Sequence, residues 1–278
     1  MMIQEFLIAT DTEDALRLKR NKVKSVWYAG GTEINRLNST VDAKCAISLA
    51  KLGLDTITDE GSFLRIGSMV TLQQLVASPL VPRWLKEAAL TCGSFTRRNM
   101  ATIGGNLALM SDHSYLAPAL LASRCRLLTA NLTEGGAYSE DNIPIREYHT
   151  YHQQFSGTLL LAVSLSKDLR FVGSRRYATS VQNRSAVHVG FGATLDSEQV
   201  IDHVRVFAAV HGSGVQRLSG VENAIENGEL TTREDVQLAV QHAVTAVDDS
   251  IGSAEYKRYI ASEGIGQLFA EFLKGGVK

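Results

Sequence analysis

Two glycine pairs, each followed by a small polar residue, constrain this chain more than any other feature of its sequence. The first pair lies in segment 28–33 (YAGGTE) and the second in segment 101–106 (ATIGGN). Glycine reaches positive φ without steric cost and lets a ligand come close to the main chain. Successive backbone N–H groups in such turns form a nest that binds anions. Two nests in one domain predict a ligand with two linked anions, such as a pyrophosphate.

Composition and charge exclude several classes of protein. The chain has 278 residues, of which 45% are hydrophobic, and this is ordinary for a soluble protein with more than one compact unit. Its net charge of −1 gives no general attraction to nucleic acid or to anionic membranes. The longest apolar runs, at 116–122 and 158–165, are far shorter than the roughly 20 residues that span a bilayer. Because the first residues lack a basic region followed by an apolar stretch, we expect no signal peptide and a cytoplasmic location.

The cysteines and histidines predict no metal centre in this chain. Cys45, Cys92 and Cys125 are widely spaced and form no Cys-x-x-Cys pair. His149 and His152 have no acidic or cysteine partner at zinc-like spacing. Iron–sulfur clusters need about four cysteine ligands. Any electron-transfer role therefore depends on a centre that another chain supplies.

The order of predicted elements indicates an α+β fold. A β-α-β-α-β unit, with a helix at 34–37, ends near Gly53, and a hairpin at 55–58 and 63–66 opens the next part. Segment 131–139 is polar and rich in glycine, which predicts a surface loop. The last part is an antiparallel sheet with strands at 171–177, 187–195 and 200–210. Further helices are predicted at 72–77, 82–89, 116–122, 221–226, 233–247 and 254–272.

The last predicted helix has a clear start. Ser253 is suited to cap its N-terminus. Helical spacing then predicts that Tyr256, Ile260 and Leu268 face the core. This part of the chain is therefore expected to be structural.

Three segments together resemble the FAD-binding subunits of molybdenum hydroxylases. They are 28–34 (YAGGTEI), 98–108 (RNMATIGGNLA) and 252–258 (GSAEYKR). That group includes the medium subunits of bacterial xanthine dehydrogenase and carbon monoxide dehydrogenase. The resemblance implies a two-part FAD-binding domain of the PCMH/VAO type, with its parts at 1–54 and 55–167. It implies a C-terminal domain at 168–278, which is an antiparallel sheet with helices like that of the carbon monoxide dehydrogenase flavoprotein.

The resemblance also implies that the cofactor is FAD, and it assigns residues to it. The first turn would hold the pyrophosphate through its amides, with the Thr32 hydroxyl as a further donor. The second glycine pair would approach the flavin ring and pyrophosphate, with polar contacts from Thr102 and Asn106. The implied cofactor-binding residues are Trp27, Tyr28, Ala29, Gly30, Gly31, Thr32, Glu33, Ile34, Thr102, Ile103, Gly104, Gly105, Asn106, Leu160 and Arg176.

Two departures from the family pattern concern this cofactor. The family has an acid nine positions after the asparagine of the second motif, where it binds ribityl hydroxyls. Tyr115 stands there, and Asp112 is nearby but out of register. The family has a lysine near Arg176, and arginine keeps the charge but changes the geometry. Arg175 is an alternative occupant of that position.

The resemblance implies a division of labour among three chains. A molybdopterin-binding large subunit would oxidise a purine or similar heterocycle, and a small subunit would carry [2Fe–2S] centres. This chain would pass the electrons through FAD to NAD⁺ or oxygen, as in xanthine dehydrogenase. No catalytic side chain is implied, because the cofactor supplies the chemistry.

Two alternatives stay open. The first is a non-enzymatic interaction subunit of the same fold with weakened or lost FAD binding, which Tyr115 favours. The second is a stand-alone flavin enzyme, against which no acid/base constellation is visible. Segment 212–214 (GSG) begins like a dinucleotide fingerprint, but Arg217 stands where the third glycine is needed.

Overall fold

A computed structural model describes residues 3–36, 39, 41–109, 111–168, 171–181, 183–198 and 200–275. The helices are α1 (Thr12–Asn21), α2 (Leu72–Ala77), α3 (Arg83–Leu90), α4 (Phe95–Met100), α5 (Ile103–Ala108), α6 (Ala117–Ala122), α7 (Ile145–Thr150), α8 (Ser219–Glu226), α9 (Arg233–Ala243) and α10 (Ala254–Leu273). The strands are β1 (Glu5–Ile8), β2 (Ser25–Tyr28), β3 (Cys45–Ser48), β4 (Ile57–Asp59), β5 (Phe63–Gly67), β6 (Arg126–Leu132), β7 (Tyr138–Pro144), β8 (Leu159–Ser166), β9 (Phe171–Tyr177), β10 (Val187–Leu195), β11 (Ile201–Val210) and β12 (Gly214–Arg217). Within these ranges no helix combines the length and apolar composition that a membrane crossing requires.

Contacts between residues divide the chain into two compact units. Unit 1 consists of Met1–Leu80, Phe95–Ala108 and Cys125–Leu165. Unit 2 consists of Val81–Ser94, Leu109–Arg124 and Ser166–Lys278. The sequence-predicted boundary between residues 54 and 55 lies inside unit 1.

Unit 1 contains two sheets, and the smaller one positions the first glycine pair. Its strand order is β1-β3-β2, with both pairs parallel, whereas the larger sheet has the order β4-β5-β8-β6-β7. Parallel pairing brings the carboxyl ends of β2 and β3 to one edge, where Leu49 N donates to Tyr28 O at 3.0 Å. The apolar faces of α1, β3 and β8 share a core that includes Leu16, Ile47 and Leu161. This hydrogen bond and this core hold the end of β2 in place, and the first glycine turn begins there.

Unit 2 is built on an antiparallel sheet with the order β12-β11-β10-β9. Its core includes an aromatic cluster in which the rings of Phe269 and Phe272 each contact Phe191, with ring centroids 6.0 and 5.9 Å from that of Phe191. The start of α10 is as predicted, because the Ser253 side chain accepts from Tyr256 N. These contacts join the last helix to the sheet.

The structure corrects three expectations about local structure. Segment 131–139 is not wholly a loop, because β6 continues to Leu132 and β7 begins at Tyr138. Residues 32–35 form a turn where a helix was predicted at 34–37, and residue 37 lies outside the described residues. Tyr256 is 48% exposed, and its neighbour Lys257 is the residue that lies fully buried. A lysine enters the core here because Asp249 and two carbonyl oxygens accept from its ammonium group.

Candidate functional site

The first glycine turn presents a row of unpaired backbone amides. Gly31 has φ +67°, a left-handed conformation that favours glycine. Asn35 N donates to Gly31 O at 2.9 Å and closes the turn. Among the described residues, the five amides from Gly30 to Ile34 have no acceptor. A row of free N–H groups is the donor set that a phosphate or diphosphate binds, so these residues fit the predicted cofactor.

The second glycine motif lies directly against the first. A Cβ atom on Gly30 would lie 1.6 Å from Met100 O, just before the second motif begins. A Cβ atom on Gly105 would lie 3.9 Å from the Cβ of Ala29. The two motifs are therefore neighbours within unit 1, although they are far apart in sequence.

The second motif is not a second nest, and this interpretation is wrong. Thr102 precedes α5, and both glycines lie inside that helix. Gly104 N donates to Ser68 O at 2.9 Å, and Gly105 N donates to the Thr102 hydroxyl at 3.1 Å. Because both amides already donate hydrogen bonds to acceptors within the protein, they are not available to bind an anion. The assignment of 102–106 to the cofactor stays a prediction, which now depends on close approach to the half-buried Gly105.

The glycine at position 104 has a packing role instead. A Cβ atom there would lie 2.6 Å from the Ser68 Cβ and 2.7 Å from Ser68 O. The backbone of α5 therefore rests directly on the turn after β5. This contact fixes the position of α5, and therefore of Gly105, relative to the first turn.

Other residues of the predicted set have structural partners in unit 1. The indole of Trp27 donates to Thr158 O at 3.1 Å. The Glu33 carboxylate forms an ion pair with Arg36 at 2.6 Å, and the positive charge of Arg36 offsets the negative charge that Glu33 places beside the unpaired amides. Leu160 lies in β8 and is only 7% exposed. Contacts between these three side chains and the cofactor stay predictions.

Arg176 belongs to unit 2 and has partners there. It lies in β9, donates to Asn183 O, and its guanidinium lies 5.3 Å from the centre of the Tyr115 ring. Burial lowers the pKa of Arg176 from its usual value. The alternative residue, Arg175, pairs with Glu271. Arg176 is therefore the arginine that contacts the position of the missing family acid.

Asp112 cannot stand in for that acid, because both of its oxygens are engaged. His113 bonds to Oδ1 at 3.0 Å, and Gly212 N donates to Oδ2 at 2.9 Å. The bond from His113 is the main reason that the pKa of Asp112 is lowered to about 2. Asp112 is thus an anchor for the turn between β11 and β12.

Sequence reasoning missed a cavity of about 400 Å³ in unit 1. It lies among the segments that follow β3 and β5 and the first turn of α2. Asn99, next to the Met100 that contacts Gly30, lies in its wall. No motif marks these residues, and only their common position beside the glycine turns could have indicated them. The lining residues are Leu49, Ala50, Leu54, Asp55, Met69, Thr71, Gln74 and Asn99.

Solved structures with this architecture cover the whole chain. Carbon monoxide dehydrogenase from Hydrogenophaga pseudoflava matches with a TM-score of 0.86 and 17% identity over 99% of each chain. Quinoline 2-oxidoreductase from Pseudomonas putida 86 matches with a TM-score of 0.82 and 15% identity, covering 100% of this chain and 99% of that one. These matches confirm the predicted α+β fold.

Sequence comparisons find relatives with higher identity to this chain than these solved structures have. YgfM of Escherichia coli K12 is 31% identical over 278 residues, which is 99% of this chain and 98% of that protein. The E. coli K12 protein named "Putative xanthine dehydrogenase FAD-binding subunit XdhB" is 34% identical over 110 residues, 36% of each chain. The family model described as the FAD binding domain in molybdopterin dehydrogenase matches residues 2–166. It confirms FAD as the predicted cofactor, and the chain belongs to the family of FAD-binding domains of molybdopterin dehydrogenases.

Proposed function

We propose that this chain is the FAD-binding subunit of a three-part oxidoreductase of the xanthine dehydrogenase type. A molybdopterin-binding subunit would oxidise a purine or similar heterocycle, and a [2Fe–2S] subunit would carry electrons to this chain. The acceptor would be NAD⁺ or oxygen, and we expect the complex in the cytoplasm. The observation that carries this proposal is the row of five unpaired amides beside the second glycine motif.

The residues of unit 1 would bind and orient the cofactor. The amides from Gly30 to Ile34 would donate to the diphosphate, and Gly105 would let the cofactor approach α5 without a side chain in the way. A bound flavin exchanges electrons both singly and in pairs, which suits a position between one-electron centres and a two-electron acceptor. The protein contributes binding, orientation and electrostatics, so no side chain is assigned a proton transfer.

The cysteines support the need for a partner. Cys45, Cys92 and Cys125 are all buried, and none of the three is in a disulfide. Three separate buried thiols do not make the set of about four ligands that an iron–sulfur cluster needs. In the proposed complex, the one-electron centres would therefore come from another chain.

The experiment is a titration of the purified full chain with FAD, followed by co-expression with a molybdopterin subunit and a [2Fe–2S] subunit. Saturable binding and a flavin-containing complex that oxidises purines are expected. Assays with NAD⁺ and with oxygen then identify the acceptor. A chain that shows no saturable FAD binding, alone or in the complex, would contradict the proposal.

A second candidate function is an interaction subunit with weakened FAD binding. Tyr115 replaces the family acid, and Asp112 is bound to His113 and Gly212. A stable three-chain complex without flavin would favour this candidate.

A further inference from the structure

The side chain of Tyr28 packs against Gly31, the residue with positive φ in the first turn. A Cβ atom on Gly31 would lie 2.4 Å from the Tyr28 hydroxyl oxygen and 2.6 Å from its Cζ. The Tyr28 ring also contacts Phe6, whose ring centroid is 5.1 Å away in an edge-to-face arrangement. Tyr28 therefore occupies the space that the missing Gly31 side chain leaves.

Asn35 bonds to both of these residues. Its side-chain Nδ2 donates to the Tyr28 hydroxyl at 2.7 Å, and its backbone N donates to Gly31 O at 2.9 Å. The turn is thus closed twice at Asn35, by a backbone bond to the residue four positions earlier and by a side-chain bond to the residue seven positions earlier. Asn35 lies one residue beyond the predicted cofactor-binding segment, and no motif indicated it.

We propose that Tyr28 and Asn35 form a clasp that holds the amides from Gly30 to Ile34 in their open arrangement before a diphosphate arrives. This inference rests on the proposed function, and it assigns both side chains as positioning residues. Glycine loses more conformational freedom on ordering than any other residue, so a turn with two glycines is costly to fix. A clasp that orders the turn in advance removes that cost from the binding step.

The location of the clasp determines which ligands it affects. It orders the amides that meet the diphosphate and contributes nothing to the flavin ring. FAD and ADP share the diphosphate, whereas riboflavin carries no phosphate. Loss of the clasp should therefore weaken FAD and ADP by the same factor and leave riboflavin unchanged.

The experiment is isothermal titration of the full chain with FAD, ADP and riboflavin. The variants are Tyr28→Phe, Asn35→Ala and the double variant. Tyr138→Phe is the matched control, because it removes a phenol hydroxyl that bonds to Glu140 on β7. Each single variant should raise the Kd for FAD and for ADP by about 2- to 10-fold, the effect of one hydrogen bond. The double variant should add little to either single variant, because both remove the same bond.

The outcomes separate the clasp from the proposed function. Equal Kd values for wild type and Asn35→Ala, or a loss confined to FAD, would overturn the clasp while FAD binding stands. A wild-type chain that binds ADP but not FAD would contradict the proposed function, and the ADP titrations would still decide on the clasp. A chain that binds neither would overturn both. Thermal midpoints without ligand, close to that of the control, show that the variants are folded.

Discussion

Replacement of Gly30 by alanine tests whether the two glycine motifs pack as closely as the structure shows. The new Cβ would lie 1.6 Å from Met100 O, 2.5 Å from Met100 C and 3.2 Å from Ala101 N. The carbonyl would have to withdraw by about 1.8 Å to reach the 3.4 Å of ordinary contact. All three obstructing atoms belong to the backbone, so a change of rotamer cannot relieve the clash.

The expected cost is at the upper end of the range for overpacked sites, about 3 kcal/mol. For a chain of this size that lowers the thermal midpoint by roughly 5 °C. FAD affinity should fall as well, because the first turn cannot move away from the second motif and keep its amides in place.

The matched control is Gly157→Ala, since a Cβ there has nothing within 4 Å. Its free energy of unfolding should stay within about 0.5 kcal/mol of the wild type. Thermal unfolding and FAD titration of both variants provide the measurement. A Gly30→Ala protein as stable as the control, with wild-type FAD affinity, would refute the reasoning.

Three further predictions concern the second motif and unit 2. Gly105→Ala should weaken FAD binding at least about 10-fold in titration with little loss of stability, because its methyl group would face the cofactor. Lys257→Met should cost about 3 kcal/mol in chemical denaturation, because it leaves the Asp249 carboxylate and two carbonyl oxygens without their buried donor. Full burial lowers the pKa of His188 to about 4 from 6.5, so the unfolded chain binds the proton more readily. The stability of unit 2 should therefore fall by about 3 kcal/mol between pH 6.5 and 4, and His188→Leu should remove this pH dependence from the unfolding curves.

The strands of unit 2 were the best predicted elements. The predicted ranges 171–177 and 187–195 are those of β9 and β10. Their buried faces carry Phe and Val at strand spacing, so burial and local preference agree. β12 was not predicted, because it is short and carries few apolar residues. Its first residue, Gly214, also ends segment 212–214, which was interpreted only as the start of an incomplete dinucleotide fingerprint.

Elements without a buried face were predicted poorly. β7 carries mostly exposed polar side chains, so its composition resembles that of a loop. It is a strand because its backbone pairs with β6 over seven residues. Helix α4 has no buried residue and therefore shows no apolar period. In both cases the secondary structure depends on contacts with other segments of the chain, and local sequence patterns carry no information about those contacts.

The glycine motifs show where sequence reasoning about the site succeeds and where it fails. Both motifs do meet in one unit, and the first has the free amides that were predicted. Gly104 and Gly105 were expected to adopt a nest, since glycine reaches positive φ without steric cost. Both are helical although glycine disfavours helix interiors by about 1 kcal/mol, and at position 104 only glycine fits against Ser68, so packing outweighs intrinsic preference there. The predicted role of Gly105 is therefore close approach to the cofactor, and of the two motifs, as far as the described residues show, only the first keeps its amides open.

The two departures from the family pattern at Tyr115 and Arg176 meet in the structure. Tyr115 stands where the family has an acid, and Arg176 stands near a family lysine. In unit 2 these two side chains contact each other, with the guanidinium 5.3 Å from the ring centre. Arginine stacks on an aromatic ring better than lysine does, because its guanidinium is planar and weakly hydrated. A tyrosine in place of the acid therefore favours an arginine in place of the lysine.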